Sequence, residues 1–177
     1  DLMGEIQGIL KEIKQGFEVE PLGDFGSGTF KHRVNLAKKL TVYACGVAVQ
    51  KFMQEITDQQ YILEKMANMI IQVFAMDSVM KRTVQLLKQE SQDDELIPIT
   101  KNNIPVCMTE VFISEAYEKT LSIARSILAE VADGNVDEYA KYKKAFKRFA
   151  LFDPINTTKY REAIANHMVQ RGKYTLK

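Results

Sequence analysis

VYACGVAV at residues 42–49 and MANMIIQVFAMDSVM at residues 66–80 decide the fold of this 177-residue chain. Both lie inside one helical reading from about Phe30 to Glu90. Leu36, Leu40, Ala44, Ala48, Phe52 and Ile56 recur every four residues. An apolar run of eight could equally be a buried strand, but the four-residue period continues on both sides of it, and length then favours helix. Tyr43, Cys45, Val47 and Val49 widen the stripe until the middle is apolar all round, the signature of a helix in a bundle interior. Gly46 costs about 1 kcal/mol in a helix relative to Ala, and the expected return is close approach of a neighbouring backbone.

Further along, Thr57 followed by Gln60 reads as a capping box that ends one helix and begins the next. The second helix then runs to about Gln89. Leu63, Met66, Ile70, Val73, Met80, Val84 and Leu87 form a seven-residue seam, with Asp77 inside it. Working outward, residues 2–14 read as a short amphipathic helix with Leu2, Ile6, Ile9, Leu10 and Ile13 on one face. Residues 16–29, with Pro21, Gly23, Gly26 and Gly28, read as a loop, as do residues 91–103. Pro105 suits a helix start. That helix reaches about Val131, with Ile113, Ala116, Leu121, Ala124, Ile127, Leu128 and Val131 inward. Gly134 closes it, and Asn135 with Glu138 opens another that ends near Phe152. A last helix covers about 158–171, with Tyr160, Ile164 and Met168 on one side. The expected fold is all-α: a mostly antiparallel bundle of five or six helices in a single domain over residues 1–177.

The totals are those of a globular domain of moderate size. Hydrophobic residues make up 46% and charged residues 27%, with a formal net charge of +1. A charge balance this close to neutral argues against a nucleic-acid partner. Cys45 and Cys107 each sit in an apolar run and read as buried thiols of a reducing compartment rather than a disulfide framework. The chain begins with Asp1, which suggests a fragment, and no signal or transit sequence is visible. The longest apolar run is well short of the roughly 20 residues of a membrane span.

Candidate chemistry is sparse. His32 and His167 lack an acid three residues before them, so the Glu-x-x-His pattern of a bundle metal site is missing and no metal ligand is expected. Gly28 is followed by Thr29, Phe30 and Lys31, not by the Gly-Lys-Ser/Thr of a phosphate loop. Lys31, His32 and Arg33 at a helix start could hold an anion. Asp77 reads as a buried structural acid paired with a Lys or Arg of a neighbouring helix, since an unpaired buried carboxylate is costly; a general base of raised pKa is the rival reading. Between 139 and 149, Tyr139, Tyr142, Phe146 and Phe149 make an aromatic stripe among Lys141, Lys143, Lys144, Lys147 and Arg148. Those five basic residues are the candidate membrane or partner surface. The plainer reading packs the aromatics on the bundle and leaves the lysines solvated.

The runs at residues 44–52 (ACGVAVQKF) and 66–78 (MANMIIQVFAMDS), and the ending DPINT (153–157) before a basic amphipathic helix, resemble the C-terminal helical extension of acyl-CoA dehydrogenases of the very-long-chain type. The resemblance covers nearly the whole chain, and its motifs are structural rather than catalytic. It implies the C-terminal part of an FAD-dependent flavoenzyme that oxidises acyl-CoA to 2-enoyl-CoA in fatty-acid β-oxidation. The family's active-site Glu lies in a Tyr-Glu-Gly-Thr-like stretch that does not occur here, nor do its flavin- and acyl-CoA-binding motifs. No catalytic, cofactor-binding or metal residue is therefore carried over, and FAD belongs to the full-length parent. The implied partners are the catalytic body of the same polypeptide, a second copy in a homodimer, and a membrane surface touched peripherally. The implied location is the bacterial cytoplasm or the mitochondrial matrix side. A stand-alone helical adaptor or scaffold is the alternative.

Overall fold

The computed structural model describes residues 4, 7–9, 11–12, 27–90, 103–150 and 155–172. Among them every regular element is helical. Residues 4, 7–9, 11 and 12 are helical, and Ile9 packs against the core. The rest of the expected N-terminal stripe (Leu2, Ile6, Leu10, Ile13), the loops at 16–26 and 91–102, and Phe152 with Asp153 and Pro154 lie outside the described residues.

Helix α1 is Ser27–Phe52 and α2 is Gln60–Glu90. The expected row along α1 is in place, with Leu36, Leu40, Ala44 and Ala48 buried beside Val34, Ala37, Tyr43 and Val47. The junction differs from the expectation. Continuous α-helix ends at Phe52, because Met53 takes a left-handed backbone (φ 46°) that breaks the hydrogen-bond ladder. A 3-10 helix, Met53–Asp58, follows, and Phe52 and Ile56 anchor it on the core. Thr57 caps nothing downstream. Its hydroxyl donates back to the Gln54 carbonyl at 3.4 Å, and the first bond of α2 runs from Leu63 N–H to the Gln59 carbonyl. The capping box read at Thr57 and Gln60 is therefore not formed.

Helix α2 is also rotated from the expected seam. The row Met66, Val73, Met80 and Leu87 does face the core. Its companion row is Ile62, Met69, Met76 and Thr83, all buried, in place of Leu63, Ile70, Asp77 and Val84. The displaced row lies at the flank of the packed face, and Ile70 is 56% exposed. The sequence offers two overlapping apolar stripes one residue apart, and packing selects the one with the flexible Met side chains that fit irregular gaps.

Helix α3 is Ile104–Ala132, with Pro105 in its first turn and 15 of its 29 residues buried. Helices α4 (Val136–Phe146) and α5 (Thr158–Arg171) complete the bundle. Helix α3 touches α1, α2, α4 and α5, and so holds the centre that the sequence suggests for α1. Pairings across helices set the directions. Lys65 meets Glu130 and Thr83 meets Thr109, so α2 runs antiparallel to α3. Arg33 meets Glu110, and Lys51 reaches Glu138 just past the end of α3, so α1 runs parallel to it. Asp133 and Gly134 are both left-handed (φ 44° and 75°) and turn the chain from α3 into α4. The Asn135 side chain then accepts from Glu138 N–H at 3.1 Å, the helix start expected there.

Candidate functional site

The most buried charges come from two helices that the sequence treats as apolar. Arg33 sits in the second turn of α1, with its guanidinium turned inward. Its Nη1 lies 2.6 Å from Glu110 Oε1 on α3, and both side chains are only 4% exposed. The same Nη1 donates to Ser114 Oγ at 3.3 Å, and that hydroxyl donates to Glu110 Oε1 at 3.4 Å. Tyr160 of α5 closes the cluster. Burial, then the nearby Glu110 carboxylate, raises its hydroxyl pKa. An Arg committed in this way cannot serve a solvent-facing anion site with Lys31 and His32, and that expectation is corrected. The signal was available: 33, 37, 40 and 44 share one face of α1, and 106, 110, 113 and 117 share one face of α3. Reading the charges at those phases as core positions identifies the pair.

Asp77 lies at the edge of the α1–α2 contact with its side chain 17% exposed. Lys38 Nζ of α1 is 2.7 Å from Oδ1, and Lys81 Nζ is 2.6 Å from Oδ2. The hydrogen bond from Lys38, then that from Lys81, holds the carboxyl below the ordinary Asp range. A pKa moved downward is the opposite of what a general base at neutral pH needs, so the catalytic reading of Asp77 loses its physical basis.

Helix α4 and the turn after it divide by side-chain type. Phe146 and Phe149 are buried, and Tyr139 and Tyr142 pack against the core. Phe149 stacks on Tyr43 at 6.0 Å between ring centroids, and its carbonyl accepts the Tyr117 hydroxyl at 2.6 Å. The Arg125 guanidinium lies 5.3 Å over the Phe146 ring. Glu138 accepts from the Tyr142 hydroxyl at 2.7 Å and from Lys51; these two contacts, in that order, lower its pKa. On the other side Lys141, Lys143, Lys144 and Lys147 are exposed, and Arg148 is half-buried. The structure brings the five basic residues onto one short segment, but the aromatic side faces inward and is not available for insertion into lipid.

Cys107 is buried, Cys45 is half-buried, and neither is in a disulfide. Burial pushes the Cys45 thiol up to about 11 and raises Cys107 as well, so neither is an activated nucleophile. Among the described residues no group of three His, Cys, Asp or Glu side chains could hold a metal ion. No described helix is long and apolar enough to cross a membrane. The chemistry of the region is therefore charge pairing and aromatic packing around α3.

Residues 36–147 match the family model described as acyl-CoA dehydrogenase, C-terminal domain. The chain is 26% identical over 178 residues to a probable acyl-CoA dehydrogenase of Bacillus subtilis (strain 168), an alignment that covers 99% of this chain and 28% of that protein. It is also similar to the crystal structure of an acyl-CoA dehydrogenase complexed with FAD from Bacillus anthracis. That match has a TM-score of 0.82 and 28% identity, and again covers 99% of this chain and 28% of the other. The chain thus spans little more than a quarter of the length of these relatives.

Proposed function

The chain belongs to the acyl-CoA dehydrogenase C-terminal domain family, and on that premise we propose that it is the helical C-terminal domain of an FAD-dependent enzyme that oxidises an acyl-CoA to the 2-enoyl-CoA. One observation carries the reading: 99% of the chain superposes on 28% of an FAD-complexed acyl-CoA dehydrogenase. In that parent the flavin and the acyl-CoA are held by the other part of the polypeptide. FAD supplies the hydride acceptor there, and no residue of this chain is assigned to it. The residues here fill space: the buried Arg33 and Glu110 neutralise each other, and the Tyr117 hydroxyl is spent on a backbone carbonyl. The domain's work is to pack on the catalytic body and stiffen it, and residues 1–177 act as one unit in doing so.

The test is expression of the reading frame that contains these residues, with and without them. The longer product is expected to be yellow and to reduce its flavin on addition of an acyl-CoA. Removal of the 177 residues is expected to lower its thermal midpoint by several degrees. A reading frame with no flavoprotein portion overturns the proposal in favour of the stand-alone adaptor.

Two finer readings belong to the same proposal. The very-long-chain type rests on the runs at 44–52 and 66–78, and turnover of the whole enzyme on acyl-CoAs of graded length tests it. Peripheral membrane contact rests on the exposed lysines of α4. Because the aromatics face inward, such contact is electrostatic, contributing on the order of 1 kcal/mol per basic group near an anionic surface. Co-sedimentation with phosphatidylserine vesicles at low salt is expected for the wild type and lost in Lys143→Glu with Lys147→Glu. Equal binding of the two, or none, removes the membrane reading.

A further inference from the structure

We propose that α5 is a detachable lid over the buried Arg33–Glu110 pair, latched by the side chain of Tyr160, and that it opens as a unit while α1–α4 stay folded. Of the 14 residues of α5, Tyr160 alone is buried. Ile164, His167 and Met168 are half-buried, and Val169 stands in water. Among the described residues no α5 side chain joins the apolar cluster at the centre of the bundle. Helix α4 is shorter, yet it seats Phe146 in that cluster and packs Tyr139, Tyr142 and Ala145 against it. A helix as short as α5 is marginal in water by itself, so its docking is what keeps it helical. It docks on α3. Arg161 pairs there with Glu115, but both side chains are more than half exposed, and ion pairs of that kind contribute little. At the start of α5, Thr157 supplies no side-chain cap.

The latch sits among polar groups. Burial, then Glu110 and Cys107, raise the pKa of the Tyr160 hydroxyl, and Arg33 opposes them, which sets the ring close to a carboxylate, a thiol and a guanidinium at once. With α5 in place the Arg33 and Glu110 side chains are nearly dry and Cys107 is fully buried. Lifting Tyr160 off α3 admits water to all three. Because the central cluster contains no α5 side chain, that step leaves the packing of α1, α2 and α3 intact. A segment with few buried apolar contacts opens at a lower free energy than the domain as a whole. The lid therefore governs whether the ion pair is held in a dry or a wet setting. The argument uses the contacts of α5 itself and is independent of the family assignment.

Amide hydrogen exchange of the complete polypeptide that contains these residues, read by peptide mass spectrometry, is the test. Amides of α5 are expected to exchange roughly tenfold or more faster than those of α3 from Ile113 to Val131, and those of α4 to lie nearer to α3. Low urea should speed exchange in α3 and leave α5 unchanged, because opening a small segment exposes little surface. Two variants separate the lid from the bundle. Tyr160→Ala is expected to speed exchange in α5 alone. Ile127→Ala, a cavity in the middle of α3, is expected to speed exchange in α3 and leave α5 at its wild-type rate. A thiol probe follows the same opening from the inside. With iodoacetamide, Cys107 should be modified several-fold faster in Tyr160→Ala than in wild type, while Cys45 keeps its wild-type rate. An α5 that exchanges with the rate and urea dependence of α3 overturns the proposal. So does a Tyr160→Ala variant that speeds exchange in every helix, or one in which Cys45 and Cys107 gain reactivity together.

Discussion

Arg33 Nη1 and Glu110 Oε1 lie 2.6 Å apart with both side chains 4% exposed, joining the start of α1 to the first third of α3 in the interior of the bundle. Two charges removed from water in this way repay their desolvation through each other and through Ser114. Breaking the pair from one side leaves the other charge buried without its counter-charge. Arg33→Met and Glu110→Leu are each expected to destabilise the domain by about 3–5 kcal/mol, and the double variant by much less than their sum. Urea unfolding followed by circular dichroism measures all three. Additive single effects would mean that the two side chains do not depend on each other.

Asp77 is the milder case, because water still reaches it. Its carboxyl is held below the ordinary Asp value of about 3.9 by Lys38 and then Lys81. A group whose folded pKa is depressed adds stability above its unfolded pKa and loses it as pH falls through the folded one. Asp77→Asn is therefore expected to cost up to about 1 kcal/mol at pH 7, the upper range for a partly exposed pair. The difference from wild type should begin to shrink below about pH 4 and vanish in stronger acid. Paired thermal melts at pH 7, 4 and 2.5 check this; a gap that grows in acid contradicts the assignment.

The two sides of α4 should respond in opposite ways. Phe149 is fully buried against Tyr43, and its backbone carbonyl holds the Tyr117 hydroxyl. Phe149→Ala is expected to cost about 3–5 kcal/mol. Tyr117→Phe leaves a buried carbonyl without its donor and is expected to cost about 1–3 kcal/mol. Lys144→Ala, on the exposed side, should fall within about 0.5 kcal/mol of wild type. Chemical denaturation of the three variants ranks them. A lysine change as costly as the phenylalanine change would mean that the basic residues are structural.

Much of the bundle was legible because apolar period reports burial directly. The inward row of α3, from Ile113 to Val131, is buried, and so are the first four members of the α1 row, Leu36, Leu40, Ala44 and Ala48. What misled was phase and direction. The second helix carries Ile70, Ile71 and Phe74 beside its core stripe, and no rule of periodicity tells which apolar face meets a neighbour. Asp77 was placed inside the seam for that reason, whereas it lies one residue off it. Arg33 reads as part of an anion site at a helix start and Glu110 draws no reading, because charge suggests surface, although their helical phase matches buried neighbours. The basic segment of α4 was legible as composition, but only packing could say that its aromatic side turns inward.

The thiols offer a check on the interior that needs no mutation. Burial raises Cys45 to about 11 and moves Cys107 in the same direction, so both stay protonated at neutral pH, and the thiolate is the reactive form. Ellman's reagent at pH 7.5 is expected to modify neither within minutes in the folded chain, and both once the chain is unfolded in guanidinium. Prompt reaction of one thiol in native buffer would place it at the surface.

Helix starts give the last discriminating experiment, because the sequence suggested two caps of the same kind and the structure forms one. Asn135 accepts from Glu138 N–H at 3.1 Å, which satisfies a donor that would otherwise have no partner within α4. The Thr57 hydroxyl instead points backward to the Gln54 carbonyl, inside the 3-10 helix. Asn135→Ala is expected to cost about 1 kcal/mol, as loss of a side-chain cap does. Thr57→Ala should be silent to within about 0.5 kcal/mol, the range for surface changes away from such features. A further contrast follows at the turn itself. Gly134 stands at φ 75°, where a side chain is strained even with open space around it, so Gly134→Ala is expected to destabilise by roughly 1 kcal/mol. Measured together by urea denaturation, the three variants separate the α3–α4 junction, fixed by local chemistry, from the α1–α2 junction, held by Phe52 and Ile56 on the core. A Thr57→Ala cost equal to that of Asn135→Ala would reverse this division.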